Sequence, residues 1–407
     1  MRHPRFRGKR TALLLVLLTL GVAGCGTVIP GAATRARPDL SKLDLGNYQT
    51  VPRDLGNAQS QRQARARESQ RLADYVALPS EVDPAYTDDV WITRSHIVLN
   101  SKTLGNIVIN DTFDDVAKDL VAGWVNAEST GGDDPATPRR TLNIAVLMFP
   151  DAATAASVGP TLEHDDFTYN PDNQPVTIPD QPGTVAHWRP SINSIGSWTV
   201  HDRYVVYIKL VDDTGPPDLP ALVGRVDQML DVQRPLLDQF APTPAAELSR
   251  VALDPDGLLG RTLPSAPEAP YRPEPDGVYT GRGIVTLLLN GGKKTFDTLR
   301  EFEVDRASFG NAVVFRSRTE RGAQGLWERW KLSAGLEDGQ QVVAAPSGLE
   351  DSVECISQHY TTSTGDRLLI GHLCMMRVDR YVVQSRSKQL PELHQQISAQ
   401  YALLTSP

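Results

Sequence analysis

The pentapeptide Asp-Arg-Tyr-Val-Val occurs twice in the chain, at residues 202–206 and at residues 379–383, an offset of 177. Three further markers recur around it in the same order, the first at an offset of 183 residues and the last at 171. They pair Thr112-Phe113-Asp114 with Thr295-Phe296-Asp297, the apolar run 142–149 with 312–315, and Leu219-Pro220-Ala221-Leu222 with Leu390-Pro391-Glu392-Leu393. Four markers in one order predict two copies of a single folding unit.

Each copy contains strand-like runs, a hairpin that ends in the pentapeptide, and a closing helix. The helix begins with Leu-Pro, where proline costs no hydrogen bond because the first helical N–H has no partner. Its apolar residues recur every three or four positions, as on one buried helix face: Leu219, Leu222, Val226, Met229 and Leu230, then Leu390, Leu393, Ile397, Tyr401 and Leu404. A sheet with such a helix against one face is an α+β sandwich. We therefore expect an α+β protein with two tandem, duplicated sheet-plus-helix domains.

Proline marks the expected boundary between the copies. Residues 241–276 contain eight prolines, a density that disfavours regular helix and central strand. We interpret this segment as a linker between a first domain at 61–240 and a second at 277–407. Residues 59–76 are rich in helix formers and are predicted to form a helix at the start of the first domain. Gly281-Arg282-Gly283 is interpreted as a turn leading into a strand over 284–289.

The first 24 residues have the pattern of a secretory signal. Five basic residues and no acidic residue precede an apolar run over residues 12–22. That run has about eleven residues, whereas a helix needs roughly twenty to cross a bilayer. It therefore favours a cleaved signal peptide over a permanent membrane span.

The signal ends in Val22-Ala23-Gly24-Cys25, which resembles the bacterial lipobox. In that motif the cysteine receives a diacylglyceryl group and becomes the mature N-terminus. The resemblance implies that Cys25 is the lipidation site and that the protein is anchored on the extracytoplasmic face of the cell membrane, since two acyl chains hold a protein there. Residues 25–60, rich in Gly, Pro, Ala and charge, are predicted to be a flexible tether. A simple signal peptide with a chance cysteine is the alternative.

Two cysteines besides Cys25 remain in this exported chain, and an oxidising compartment favours a disulfide between them. The strand-like runs 353–360 and 369–376 flank the turn-forming sequence TTSTGD. If Thr364-Gly365 is a two-residue turn, the numbers of opposed residues sum to 729, which pairs Cys355 with Cys374. Two buried free thiols are the alternative, and a bulge would shift this register by one residue.

Charge and motifs exclude several classes of function. The signal contains five of the 41 basic residues and none of the 49 acidic ones, so the mature chain has 36 basic residues and a formal charge of −13, which disfavours nucleic acid as a partner. The histidines lack zinc-site spacing, and no catalytic motif is present, so no metal, cofactor or catalytic residue is expected. Four tryptophans are candidates for a ligand groove but fit a core better: Trp188, Trp198, Trp327 and Trp330.

The lipobox, the polar tether and two copies of an α+β unit carrying DRYVV together resemble an actinobacterial family of two-domain envelope lipoproteins, found in Nocardia-like and mycobacterial relatives. The resemblance implies an envelope location and supplies no catalytic residue. We expect a non-enzymatic module that binds an envelope protein or lipid in a groove or across the domain interface. One alternative is a carrier of a hydrophobic envelope lipid, with a cavity on the order of several hundred Å³. Another is a hydrolase with a dispersed active site, recognisable by a pocket with paired titratable groups.

Overall fold

The structure, a computed structural model, describes residues 38–90, 93–105, 107–132, 136–266, 274, 276–288 and 291–406. The predicted signal peptide over residues 1–24 and the predicted lipidation site Cys25 lie outside these residues. The chain from Asp39 onward forms one unit, to which every element below belongs. In the described part of that unit, no helix is long and apolar enough to span a bilayer.

The first half contains a long N-terminal helix followed by an antiparallel sheet and its helices. Its elements are α1 (Gln61–Leu72), β1 (Asp88–Asp89), β2 (His96–Ile97), α2 (Ser101–Leu104), α3 (Phe113–Val116), β3 (Ala122–Ser129), β4 (Arg140–Met148), α4 (Ala152–Thr168), β5 (Gln174–Val176), β6 (Thr184–Arg189), β7 (Ser194–His201), β8 (Tyr204–Asp212) and α5 (Leu219–Gln239).

The second half contains a second antiparallel sheet. Its elements are α6 (Ala245–Leu248), β9 (Gly277–Tyr279), α7 (Gly281–Val285), α8 (Gly292–Glu301), β10 (Val304–Phe309), β11 (Ala312–Ser317), α9 (Glu320–Arg329), β12 (Gln340–Val343), β13 (Val353–Thr361), β14 (Arg367–Val378), β15 (Tyr381–Ser387) and α10 (Leu390–Thr405). Short 3₁₀ turns cover Leu40–Lys42, Ala73–Tyr75, Pro79–Glu81 and Leu332–Ala334.

The two sheets have the same strand order, which confirms the predicted duplication. The first runs β1-β3-β4-β8-β7-β6-β5, with β2 also on β3, and the second runs β9-β10-β11-β15-β14-β13-β12. Tyr204 and Tyr381 open the equivalent strands β8 and β15. The aspartates that begin the two pentapeptides, Asp202 and Asp379, both have left-handed backbones, with φ of 49° and 47°.

Each sheet carries helices on both faces, one layer more than the predicted helix against a single face. In the first half α5 covers one face and α4 the other; in the second half α10 and α9 do so. The physical reason lies in the central strands, which are apolar toward both sides. In β4, for example, every residue from Leu142 to Met148 is buried. Strands covered on both faces read as near-continuous apolar runs instead of alternating ones.

Helix α1 confirms the helix predicted over 59–76, but it belongs to both halves. The Arg67 guanidinium donates to the Val278 carbonyl at 2.6 Å, and the Gln70 amide donates to the Asp276 carbonyl at 3.0 Å. On the first-half side, the Ser69 hydroxyl accepts the Gly123 N–H at 3.1 Å. The α5 face of the first sheet and the α9 face of the second share one hydrophobic cluster. The two halves therefore pack against each other through non-equivalent faces of their sheets.

The predicted flexible tether over residues 25–60 is wrong from residue 39 onward. Leu43 is buried in the core beneath α10, and Gln395 donates to Asp44 at 2.9 Å. The Arg53 guanidinium donates to the carbonyls of Leu259 and Thr262 at 2.8 and 2.7 Å. Composition alone did not predict this packing, because the partners of these residues are more than 200 positions away in sequence.

The proline-rich segment over 241–276 is also packed along its described residues. Glu68 of α1 accepts the Thr243 N–H and hydroxyl, both at 2.8 Å, and Leu253, Leu258 and Leu263 are buried. The short helix α6 forms despite the proline density, because Ala245–Leu248 contains no proline and Pro244 stands before its first residue. The segment is therefore fixed to α1.

The predicted turn and strand after Gly281 are wrong, because residues 281–285 form helix α7. The Asp74 carboxylate accepts the Arg282 N–H at 2.9 Å at the start of that helix. Gly281 has a φ of 46°, and a Cβ on it would lie 1.7 Å from Asp74. A contact with a residue over 200 positions away thus selects helix over strand.

The predicted disulfide is formed: Cys355 pairs with Cys374 across β13 and β14. The predicted two-residue turn is wrong, since Thr361 opposes Arg367 and five residues connect the strands. Thr362 and Asp366 bond to each other across that loop at 2.9 Å. A bulge at Ile370 then shifts the register by one residue, which restores the sum of 729 at the cysteines.

Candidate functional site

A cavity of about 560 Å³ lies between the two halves. The first half contributes residues of β2, β3 and the segment before β2, and the second half contributes β9, β10 and the chain around α7. Its apolar wall includes Ile97, Trp124, Tyr279, Leu287 and Phe309. Because both halves build it, the cavity exists only where the halves are packed together.

The indole of Trp124 is held in place from both ends. Its ring meets that of Tyr279 edge-on, with centroids 6.0 Å apart, and its N–H donates to the Asn126 amide oxygen at 2.7 Å. The Asn126 amide in turn donates to the Val76 and Ala77 carbonyls at 2.8 and 3.1 Å. A satisfied indole N–H lets this large apolar ring stay buried at the cavity wall.

One buried carboxyl group, that of Glu128, stands on the same wall. It is 7% exposed and accepts the Ser80 N–H at 2.6 Å. The Ser80 hydroxyl accepts the Lys293 N–H at 2.7 Å, which connects this group to the start of α8. Burial raises the pKa of Glu128 to about 7. Near neutral pH the cavity therefore holds a carboxyl group that can donate or accept a hydrogen bond.

An ion pair joins the halves next to the cavity. The Arg282 guanidinium in α7 binds both oxygens of Glu81, each at 2.8 Å, and its carbon lies 5.0 Å from the centre of the Phe296 ring. Both side chains are largely buried, with 16% and 12% exposed. Bidentate geometry and burial make such a pair sensitive to the loss of either partner. The pair fixes the helix that carries Val285, a wall residue.

The raised pKa of Glu128 predicts a pH dependence of stability. Because the pKa of Glu128 in the folded state, about 7, exceeds the ordinary glutamate pKa of 4.5, the folded state binds the proton more tightly than the unfolded state does. This contribution is fully present below pH 4.5 and is lost as the pH rises through 7. We expect the free energy of unfolding of the wild type to fall on the order of 2 kcal/mol between pH 5 and pH 8 because of this group, and Glu128→Gln to lack that fall. Urea unfolding at both pH values measures it. Equal pH slopes in both proteins would contradict this.

The residues predicted from sequence lie elsewhere. Cys355 and Cys374 belong to the core cluster beneath α10 and have a structural role. Trp198 is buried, and Trp330 packs edge-on against Phe315 with ring centroids 5.2 Å apart. Neither these nor Trp327 lines the large cavity, as their core assignment predicts, while Trp188 lines a smaller pocket in the first half.

Sequence reasoning missed Trp124 and Glu128. They are four residues apart on β3 and therefore share one face of the strand. That spacing is the only local signal, and it cannot tell a cavity wall from a core.

No metal centre is formed by the described residues, which contain no group of three or more His, Cys, Asp or Glu side chains suited to hold an ion. Paired titratable groups do occur in the smaller pocket, where the Asp166 carboxylate lies 3.6 Å from the His187 imidazole. Within the described chain, neither nitrogen of that imidazole hydrogen-bonds a hydroxyl group.

Comparison with known proteins gives a family but no activity. No curated protein matches the chain. Among solved structures, the extracellular domain of PknH from Mycobacterium tuberculosis matches 42% of this chain and 97% of its own length, at 14% identity and a TM-score of 0.28. A TM-score that low supports no inference. The N-terminal part of the domain of unknown function DUF7373 matches residues 55–253, and its C-terminal part matches residues 258–406. The chain therefore belongs to the DUF7373 family.

Proposed function

We propose that this protein is a lipid-anchored, extracytoplasmic binding module of an actinobacterial cell envelope, which holds an apolar ligand in the cavity between its two halves. The observation that carries the proposal is the cavity itself, about 560 Å³ and walled largely by apolar side chains of both halves. Small-molecule sites in proteins have volumes of roughly 300–1,000 Å³, with a few polar groups on an apolar lining.

The apolar side chains of the wall favour a chain-like or ring-like apolar ligand, and polar side chains that include Glu128, Asp89 and His96 can bond to polar groups on it. Each methylene moved from water to an apolar wall contributes about 0.8 kcal/mol, so an eight-carbon segment contributes about 6 kcal/mol before the cost of immobilising it. Glu128, with a pKa of about 7, offers one hydrogen bond to an uncharged polar group. A lipid of the envelope has this combination, which also fits the role of a carrier.

Membrane anchoring through a diacylglyceryl group on Cys25 rests on the lipobox and is supported by an apolar ribbon in the second half. β12 pairs with β13 only over residues 355–358, and β15 pairs with β14 only over 372–378. Residues 360–370 therefore extend beyond both neighbouring strands as a hairpin with a loop over 362–366. On them Tyr360, Leu368, Leu369 and Ile370 are 50–59% exposed. Consecutive aliphatic residues present apolar surface to both sides of a strand, which is unfavourable in water.

The start of the described chain lies at the same end of the second half as this ribbon. Gln395 and Glu392, near the beginning of α10, bond to Asp44 and Tyr48 at 2.9 and 3.3 Å. Helix α10 begins just after β15 ends at Ser387, which pairs with His372 beside the ribbon. The twelve residues 26–37 span at most about 40 Å. An acylated Cys25 would therefore connect this end of the body to the bilayer by at most that length of chain.

The anchor is tested by Cys25→Ala. We expect this variant to lose the diacylglyceryl label and to appear in the soluble exported fraction or to stay unprocessed. Label that persists would refute the lipobox assignment.

The cavity is tested with Thr286→Trp, which adds an aromatic ring to its wall. The probe is N-phenyl-1-naphthylamine, an uncharged apolar fluorophore, added to the purified mature protein. We expect at least tenfold weaker binding than in the wild type, because the ring occupies ligand space. Thr298→Trp is the matched control, since Thr298 also bonds to a backbone carbonyl in a helix but does not line the cavity. Equal binding by all three proteins would contradict a cavity site.

A further inference from the structure

A second pocket of about 290 Å³ lies in the first half, on the face of the sheet that α4 covers. Its lining includes one acidic and three basic side chains from three elements: Asp166 from α4, His187 and Arg189 from β6, and Lys209 from β8. Two cations face a single carboxylate, in a chain whose formal net charge is −8. The pocket is therefore locally positive within an acidic protein.

Three polar side chains of this pocket have donor or acceptor atoms that no described residue satisfies. His187 is 7% exposed, and its Nδ1 atom has no hydrogen-bond partner in the described structure. The Lys209 ammonium donates only to the Ile107 carbonyl, at 3.0 Å, and no described carboxylate is close enough to pair with it. The Arg189 guanidinium likewise has no ion-pair partner among the residues described. His187 is the buried one of the three, and an unpaired polar atom in a buried position is unfavourable, so its free nitrogen favours a bound partner.

The carboxylate in the pocket is already occupied on the protein side. Asp166 accepts the Trp198 N–H at 2.8 Å and lies 3.6 Å from His187. Burial raises the pKa of Asp166, and burial lowers the pKa of both His187 and Lys209. Asp166 favours the charged forms of both bases, but the effect of burial on their pKa values is larger. An added anion would favour the protonated forms of the two bases.

The duplicated sheet provides an internal comparison. Lys209 pairs with Gly196, which pairs with His187, across β8, β7 and β6. By the pentapeptide offset, the equivalent row in the second half is Arg386, Leu373 and Ile356, paired in the same way. Aliphatic side chains thus occupy the positions of the glycine and the histidine.

Gly196 makes room for the imidazole in the first half. A Cβ at this position would lie 3.1 Å from the His187 Nε2 atom. The same sheet is therefore filled with aliphatic side chains in one copy and opened around a polar cluster in the other.

The rim of the pocket is apolar and exposed. Ile109, Tyr169 and Ile192 line it with 49%, 59% and 41% of their surfaces accessible. Large exposed apolar residues grouped around a polar base are typical of a ligand site.

We propose that this pocket binds a small organic anion, a carboxylate or phosphate monoester, whose charged group lies between Lys209 and Arg189 and hydrogen-bonds the free His187 nitrogen, while its apolar body packs on Tyr169 and Ile192. This site is separate from the cavity between the halves and takes the opposite ligand chemistry. Charge-assisted hydrogen bonds from ammonium and guanidinium groups are the strongest that the protein can offer such a group.

Calorimetric titration of the purified mature protein tests the proposal. The probes are benzoate and phenyl phosphate, with uncharged benzyl alcohol as the comparison. We expect both anions to bind and benzyl alcohol to bind at least tenfold more weakly. Lys209→Met and Arg189→Gln should each weaken the binding of both anions at least tenfold. Lys209→Arg should retain most of the affinity because it keeps the positive charge.

Arg386→Gln is the matched control, because it removes a cation at the position in the second half that corresponds to Lys209. It should bind both anions as the wild type does. The proposal is overturned if neither anion binds at millimolar concentration, if benzyl alcohol binds equally well, or if variants with an unchanged melting temperature retain wild-type affinity. None of these results bears on the apolar cavity or on the anchor.

Discussion

Replacing Arg282 with alanine should lower the free energy of unfolding by about 3–5 kcal/mol, because it leaves Glu81 as an unpaired charge in a largely buried position. Arg282 binds both oxygens of Glu81 and donates its backbone N–H to Asp74. The substitution also removes the guanidinium from the face of Phe296. Urea unfolding of the purified mature protein, followed by circular dichroism, measures the loss. Without this ion pair, α7 and its wall residue Val285 are held less firmly, so the cavity should bind N-phenyl-1-naphthylamine more weakly as well.

An exposed ion pair provides the control for this measurement. Arg329 lies 3.2 Å from Glu301, with about half of each side chain exposed. Such pairs contribute at most about 1 kcal/mol, because water screens both charges. Arg329→Ala should therefore shift the unfolding midpoint little. If Arg282→Ala were no more destabilising than Arg329→Ala, the ion pair would not be what holds α7 against the first half.

Removing the disulfide should cost about 3 kcal/mol. Cys355 and Cys374 are 19 positions apart, and closing a loop of this length restricts the unfolded chain by roughly that amount. The double variant Cys355→Ala, Cys374→Ala should show the loss in urea unfolding under non-reducing conditions.

Reduction of the wild-type protein provides an independent check on that value. With both cysteines reduced, its unfolding midpoint should approach that of the double variant, since each lacks the same cross-link. Two alkylatable thiols in the untreated, exported protein would refute the bridge. A double variant as stable as the wild type would show that the cross-link contributes nothing.

The two copies have diverged at equivalent rows of the sheet. The positions that correspond to Cys355 and Cys374 are Ala186 and Ser197, which pair across β6 and β7 in the same register. Both are buried. The first copy thus holds a polar pocket one residue away from the row where the second copy holds its disulfide. The two sheets thus share one strand order but carry different side chains at equivalent positions.

Sequence alone determined the features that depend on repetition and on local chemistry. The DRYVV repeat predicted two equivalent units, and both copies place its aspartate at a left-handed turn before the same strand. The three- and four-residue spacing predicted α5 and α10, because helix periodicity follows from local geometry. The pairing of Cys355 with Cys374 was predicted in the correct register, although through a turn that the structure replaces with a longer loop and a compensating bulge.

Only the tertiary structure decided the features built from residues distant in sequence. Asp74 selects a helix at Gly281, and Leu259 and Thr262 hold Arg53 in a segment whose composition predicted a flexible tether. The cavity arises where β3 meets β9, and the pocket that we propose to bind an anion is lined by residues of α4, β6, β7 and β8. Composition and periodicity describe what a segment prefers by itself. They contain no information on which distant partner satisfies a buried charge or leaves a space, and in this protein those partners define both candidate sites.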